Sequence, residues 1–271
     1  MCLLTFFPGG VLPDTDALRS GARWNRDGHG FAIVFGGRLI VERGLDSERV
    51  IEDFARQRRA HPDGPALFHS RMGTHGDITR TNCHPFRIGG DPRTVLAHNG
   101  VLPKRVRPAN GDRRSDTRIA AEDYLPRHPF GSLSTQSGRD RLTAWLTPSN
   151  KIVLLTVDPL YPANAYVFNE RAGIWDGGIW YSNMDFCQTT ADAEWWETYG
   201  ADTTCPVCLG VESVDPRTGL CDDCGCCADC GAPARYCVCF TPGGWSPPDH
   251  AAGGLSGEAF VASGTDLCGR A

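Results

Sequence analysis

The chain has 271 residues, 41% of them hydrophobic and 22% charged, with a formal net charge of −5. That length allows one sizeable core plus a small appendage, and the acidic balance argues against a nucleic-acid binder that works through bulk positive charge. No apolar run approaches the ~20 residues that cross a bilayer, and the first residues lack the basic start and long apolar stretch of a secretory leader, so a cytoplasmic protein is expected.

Cys2 to Phe7 reads as a short apolar strand, ended by Pro8-Gly9-Gly10. Asp14 caps a predicted helix that runs to Arg23. Gly30 to Phe35 and Arg38 to Glu42 flank Gly36-Gly37, the signal of a two-residue hairpin. From Asp46 to Ala60, Val50, Ile51 and Phe54 recur at helical spacing. Ala66 to Met72 and Thr94 to His98 read as buried strands, separated by a loop rich in Gly, Thr, Asp and Asn. Ser115 caps a predicted helix to Leu125, and Arg139 to Leu146 is another. Lys151 to Val157, Ala165 to Asn169 and Gly178 to Ser182 add three strands. Hairpins and helices without regular βαβ alternation predict α+β layers rather than a doubly wound sheet.

After Phe186 the composition changes. Ala193 to Tyr199, with Trp195 and Trp196, predicts a short helix, and Thr241 to Ala271 is dominated by Gly, Pro, Ser and Ala, as in a disordered tail. Between them lie most of the 13 cysteines. Cys205-Pro-Val-Cys208 and Cys221-Asp-Asp-Cys224 have the form of two knuckles sharing one tetrahedral zinc, because thiolates at C-x-x-C spacing reach the same ion from one tight turn. Cys227-Ala-Asp-Cys230 with Cys237-Val-Cys239 offers a second four-thiolate site, Cys226 being spare. Residues 205–239 contain too few aliphatic side chains to hold a fold without metal. A ribbon of this kind in so acidic a chain suits docking a partner more than reading nucleic acid.

Cys2 stands directly behind Met1. A small second residue lets an aminopeptidase remove Met1, leaving a thiol and a free α-amine on one residue. With a reference pKa near ~8 the amine can take the thiol proton, so nucleophile and base come together. Four stretches line up with it: Asn25-Arg26-Asp27-Gly28-His29-Gly30, His69-Ser70-Arg71-Met72-Gly73-Thr74-His75-Gly76, Asn82-Cys83-His84-Pro85-Phe86 and Ala97-His98-Asn99-Gly100-Val101-Leu102. Ser115-Asp116-Thr117 follows at a helix start. Taken singly each has a plain explanation: Arg71 as a surface ion-pair member, Asn99-Gly100 as a hairpin turn, Ser115-Asp116 as a helix cap.

Together, in this order, they make residues 2–185 resemble the glutaminase domain of class II glutamine amidotransferases, most of all its stand-alone branch. The resemblance implies a four-layer αββα N-terminal-nucleophile hydrolase sandwich over 2–190, followed by the zinc-binding segment 205–239 and the tail 240–271. It implies Cys2 as nucleophile, with Asn99 and Gly100 supplying oxyanion donors. Arg71 would grip glutamine's α-carboxylate and Asp116 its α-ammonium. Thr74, His75 and Gly76 would belong to a loop that closes over the substrate. Met72 replaces an aromatic found in many relatives and is expected to pack. Arg26 matches a charged residue near the nucleophile of some relatives, and the histidines are expected to be structural. Glutamine or a γ-glutamyl amide is the implied substrate. The ammonia would be released or passed to a separate acceptor protein, since about 80 residues cannot hold a synthase domain. The basic run Lys104-Arg105-Val106-Arg107 and Arg113-Arg114 reads as a solvated loop. From another class comes a zinc-dependent interaction module on an inactive hydrolase scaffold.

Overall fold

A computed structural model describes residues 2–73 and 76–187 and, in the cysteine-rich segment, residues 205, 207, 208, 214, 215, 220–227, 233 and 234. The chain divides into two units at Thr189/Thr190. Thr74, His75, Cys230, Cys237 and Cys239, the predicted helix of residues 193–199 and the tail 240–271 all lie outside the described residues.

In the first unit the strands are β1 (Leu3–Phe7), β2 (His29–Phe35), β3 (Arg38–Gly44), β4 (Ala66–Ser70), β5 (Phe86–Arg87), β6 (Thr94–Asn99), β7 (Lys151–Thr156), β8 (Ala165–Phe168), β9 (Ile174–Asp176) and β10 (Ile179–Tyr181). They pair antiparallel into a six-stranded sheet ordered β3-β2-β4-β1-β10-β9 and a four-stranded sheet ordered β5-β6-β7-β8. The α-helices are α1 (Thr15–Trp24), α2 (Ser47–Ala60), α3 (Asp116–Ile119) and α4 (Gln136–Trp145).

Alternation along the strands shows how the layers stack. Leu4 and Phe6 of β1, Ala32 and Val34 of β2, and Val95, Ala97, Val153 and Leu155 of β6 and β7 share one buried cluster between the sheets. The opposite set, Leu3, Phe7, Phe31, Ile33 and Phe68, packs against Leu18 of α1 and Ile51 and Phe54 of α2. Leu96, Ile152 and Leu154 face Ala120, Leu125 and Leu142 on the far side of the second sheet. The architecture is therefore α+β in four layers, αββα. Strands covered on both faces lose the apolar–polar alternation, which is why β1, β4 and β6 read as continuous apolar runs.

The local signals explain most of the boundaries. Asp14 caps α1 by accepting from Asp16 and Ala17 N–H at 3.0 and 2.9 Å, and Asp46 caps α2 by accepting from Arg49 N–H at 3.1 Å. Gly36 and Gly37 take φ of +53° and +73°, the left-handed pair a tight hairpin needs. The predicted helix over 115–125 is α3 for one turn only. It then widens into a π-turn over Ala120–Tyr124 and tightens into a 3₁₀ turn at Leu125–Arg127, which contains Pro126. Helix α4 begins three residues earlier than predicted, because Thr135 accepts from Gly138 N–H. Strands β5 and β9 carry no sequence signal, being two and three residues long.

Arg58 of α2 is fully buried, and its guanidinium donates to the carbonyls of Val11, His61, Gly64 and Pro8. Arg58→Met removes those donors while the carbonyls stay buried. Urea unfolding is expected to show a loss of about 3–5 kcal/mol, and a loss below about 1 kcal/mol would mean water replaces the guanidinium.

Candidate active site

Cys2 precedes β1, and its neighbour across the sheet is β4, where Leu3 pairs with Ser70. That register carries the chain after β4 past the thiol. Met72 N–H donates to Cys2 Sγ at 3.3 Å, and the thiol lies 3.4 Å from Met72 O. Cys2 O accepts from Asn183 Nδ2 at 3.1 Å. Met72 is 47% exposed, so it does not pack as expected; its backbone, not its side chain, serves the thiol. Burial pushes the Cys2 thiol pKa up, and the Met72 hydrogen bond and nearby positive charge offset this only partly. A thiol so placed needs a base to become a nucleophile.

Cys2, Arg71, Met72, His84, His98, Gly100, Ser115, Asp116 and Thr117 line one cleft that opens to solvent. Arg71 does not lie at the surface: it is 2% exposed, and its guanidinium donates to Asp77 O at 3.1 Å and Gly76 O at 3.5 Å. Asp116, 5% exposed, accepts from Leu102 N–H at 2.9 Å through one oxygen, and from Thr117 N–H at 2.6 Å and Thr117 Oγ1 through the other. Ser115 does cap α3, accepting from Arg118 N–H at 3.2 Å. Asn99 ends β6 and Gly100 follows with φ +131°, leading to a 3₁₀ turn at Lys104–Val106 rather than a hairpin. Asn99 is 1% exposed, and its Nδ2 donates to Ser182 Oγ at 2.9 Å.

Several supporting residues had no role assigned from the sequence, although Asp27 and Thr117 stand inside the quoted stretches. Asp27 accepts from Gly73 N–H at 2.6 Å and so pins the segment after Arg71. Arg26, by contrast, is exposed and donates to Arg23 O. Asn150, Ser182 and Asn183 belong to other segments and have no short-range signal. The charges of Arg113 and Arg114 are paired with Asp77 and with Asp112, Glu122 and Asp123.

Four histidines are buried, His29, His69, His84 and His98, and two of them, His84 and His98, line the cleft. His98 Nδ1 lies 2.9 Å from Thr117 Oγ1, and its Nε2 lies 2.7 Å from Asn150 Oδ1. His69 Nε2 meets His98 O at 3.0 Å, and a carbonyl only accepts, so His69 carries its proton there. Its Nδ1 is then a lone pair, which accepts from His84 Nδ1 at 3.1 Å. His84 and His98 thus line the cleft as well as supporting it. Burial lowers the pKa of all four, His29 to about 4 and His69 to about 3. In the unfolded chain the reference value is ~6.5. As pH falls below that, the unfolded chain takes protons that the folded one refuses, so stability present above pH ~6.5 is lost toward the folded values. Urea midpoints are expected to drop steeply between about pH 6.5 and pH 4.5, and a flat profile there would mean the rings titrate normally.

In the second unit, Val214–Asp215 pairs antiparallel with Leu220–Cys221. The sulfurs of Cys205, Cys208, Cys221 and Cys224 all lie within 4.8 Å of one another. Cys205 and Cys224 are 3.6 Å apart, as are Cys208 and Cys221. A tetrahedral ion with sulfur at ~2.3 Å separates its ligands by about 3.8 Å, whereas a disulfide needs about 2.05 Å. The donor set therefore fits one thiolate-bound ion.

No family model matches the chain. An 88-residue stretch, 32% of the chain, is 31% identical to glutamine–fructose-6-phosphate aminotransferase (isomerizing) of Neisseria meningitidis serogroup A, and equally to that of serogroup B. The stretch spans 14% of the length of those relatives. Among solved structures, the chain is similar to glutamine phosphoribosylpyrophosphate amidotransferase from B. subtilis complexed with ADP and GMP, at 16% identity and a TM-score of 0.43, covering 67% of this chain and 41% of that one. It is also similar to an allosteric regulatory enzyme of purine biosynthesis, at 14% identity and a TM-score of 0.42, with the same coverage. A glutamine aminotransferase class-II domain protein from Silicibacter pomeroyi is 15% identical, with a TM-score of 0.30 and coverage of 60% and 80%.

Proposed function

We propose that the chain is a glutamine amidotransferase-type amidohydrolase acting through Cys2. The observation that carries this is one cleft lined by Cys2, Arg71, Gly100 and Asp116, which come from distant stretches of chain. A thiol, a guanidinium and a carboxylate at a single opening match the carboxamide, α-carboxylate and α-ammonium of glutamine. After removal of Met1, the α-amine takes the Cys2 proton. Sγ then attacks the carboxamide carbon, and the charge developing on its oxygen is met by Asn99 and the Gly100 N–H. Collapse breaks the C–N bond, the amine returns its proton to the leaving ammonia, and water hydrolyses the thioester to glutamate. Thr74, His75 and Gly76 are assigned to closure over the bound substrate.

The chain is assigned three segments, with the hydrolase over 2–190, the metal-binding segment over 205–239 and the tail over 240–271, in a cytoplasmic protein. Cys205, Cys208, Cys221 and Cys224 would hold zinc as a structural ion, with Cys227, Cys230, Cys237 and Cys239 as ligands of a second. Metal analysis of purified protein is expected to find at least about one zinc per chain, reduced by Cys208→Ser with turnover retained; unchanged zinc in that variant would remove the first site from the assignment. The metal segment also favours a second role, docking an ammonia-accepting protein. On an inactive scaffold that docking would be the whole function.

The deciding assay incubates the full chain with glutamine and with γ-glutamyl amides and measures glutamate together with the ammonia or amine released. Equimolar release supports the reading, and none from any of them sinks it.

A further inference from the structure

Ser182 directly follows β10, is 1% exposed, and sits between the start of β1 and the end of β6. Its N–H donates to Leu4 O at 2.8 Å, and its Oγ accepts from Leu4 N–H at 2.9 Å. The same oxygen lies 2.9 Å from Asn99 Nδ2, while Asn99 Oδ1 is buried with no hydrogen-bond partner. The hydroxyl thus accepts twice, and a carboxamide oxygen is left without a donor. Buried polar groups are seldom left so.

A half-turn of the Asn99 carboxamide resolves both, and it leaves the amide N–H groups, now at the buried place of Oδ1, without an acceptor until a substrate supplies one. Its two ends have nearly the same size, so the turn costs no packing. Leu4 N–H still donates to Ser182 Oγ, the Ser182 hydroxyl now donates to Asn99 Oδ1, and the Asn99 N–H groups are turned away from Ser182. Leu4 N–H is the fixed element, since it occupies one lone pair of the hydroxyl and leaves its hydrogen for Asn99. We propose that Ser182 is the positioning residue of this site: in the state that turns over substrate it donates to Asn99 Oδ1 and thereby commits Asn99 Nδ2 to the substrate's carboxamide oxygen. Ser182 touches no reacting atom. The inference rests on the amidohydrolase reading and adds to it the group that orients its oxyanion donor.

The test is a double-mutant cycle on the full chain with glutamine. Ser182→Ala is expected to lower kcat by about tenfold to a hundredfold with KM nearly unchanged, the loss of a whole oxyanion donor setting the ceiling. In an Asn99→Ala background the same substitution is expected to change kcat by less than about twofold, because there is no amide left to orient. Alkylation of Cys2 by iodoacetamide develops no oxyanion and is expected to keep its rate in Ser182→Ala. A full further loss in the Asn99→Ala background, or an equal loss of alkylation, would overturn the inference as an effect on the fold. Should Ser182→Ala not fold, Ser182→Cys, a weak donor of similar size, takes its place in the same cycle. Wild-type protein that turns over no substrate overturns the underlying reading and this inference with it, whereas active wild-type protein with an additive cycle overturns this inference alone.

Discussion

Cys2→Ala is expected to reduce ammonia release from glutamine by about four orders of magnitude or more, the scale seen when a covalent nucleophile is removed. Among the described residues that line the cleft, Cys2 is the one cysteine. The fold should survive, because Cys2 is half-buried and ahead of β1, and the variant loses only the contacts of Sγ with Met72. Its thermal midpoint is expected to stay within a few degrees of wild type. The same argument makes the α-amine indispensable. Burial raises the thiol pKa, and it also holds the neighbouring histidines neutral and weakly basic, His84 included, whose Nε2 has no hydrogen-bond partner among the described residues. An extra N-terminal residue that cannot be trimmed is therefore expected to inactivate the protein as thoroughly as Cys2→Ala does. Turnover within about tenfold of wild type in either variant would show that Cys2 is not the nucleophile.

Gly100→Ala is expected to cost both stability and activity. Gly100 holds φ at +131°, a region that side chains avoid, and an added Cβ would lie 2.5 Å from Asn150 Oδ1 and 3.1 Å from Asn150 Cα. Asn150 cannot step aside freely. It is fully buried, its Oδ1 holds His98 Nε2 at 2.7 Å, and its carbonyl accepts from Asn169 Nδ2 at 2.7 Å. Displacing it moves His98, and through Thr117 the neighbourhood of Asp116. Backbone strain and forced repacking together suggest a loss of about 2–4 kcal/mol in urea unfolding, with kcat down about a hundredfold as the oxyanion geometry shifts. A variant as stable and active as wild type would mean that the turn relaxes without disturbing the cleft.

What the sequence discloses divides along physical lines. Caps, the Gly36-Gly37 turn and the apolar strands are local, and each is legible because a few adjacent residues determine it. The nucleophile, the guanidinium and the carboxylate are legible as residue types in order, since Cys2 and Arg71 adjoin the ends of β1 and β4 and Asp116 begins α3. Their support is not. Asp27 stands in a quoted motif without a role, and Asn150, Ser182 and Asn183 in none; they act through contacts between residues 46 to 181 positions apart, as between Asp27 and Gly73 or Cys2 and Asn183. Only the stacking of two sheets brings them together. Met72 shows the converse error, in which an apolar side chain suggested packing while its backbone carried the contact. The break of the third helix into a π-turn follows from tertiary packing and Pro126, which periodicity over so short a span does not register.

The central claim is that a trimmed Cys2 forms the covalent bond to the substrate's carbonyl side chain. Peptide mapping after reaction with a diazoketone analogue of glutamine tests it most directly. We predict a single adduct on a peptide that begins at Cys2, with Met1 gone and ammonia release lost in proportion to labelling. Ammonia release that persists while that peptide is fully labelled, or active protein whose Met1 is still in place, would contradict the account.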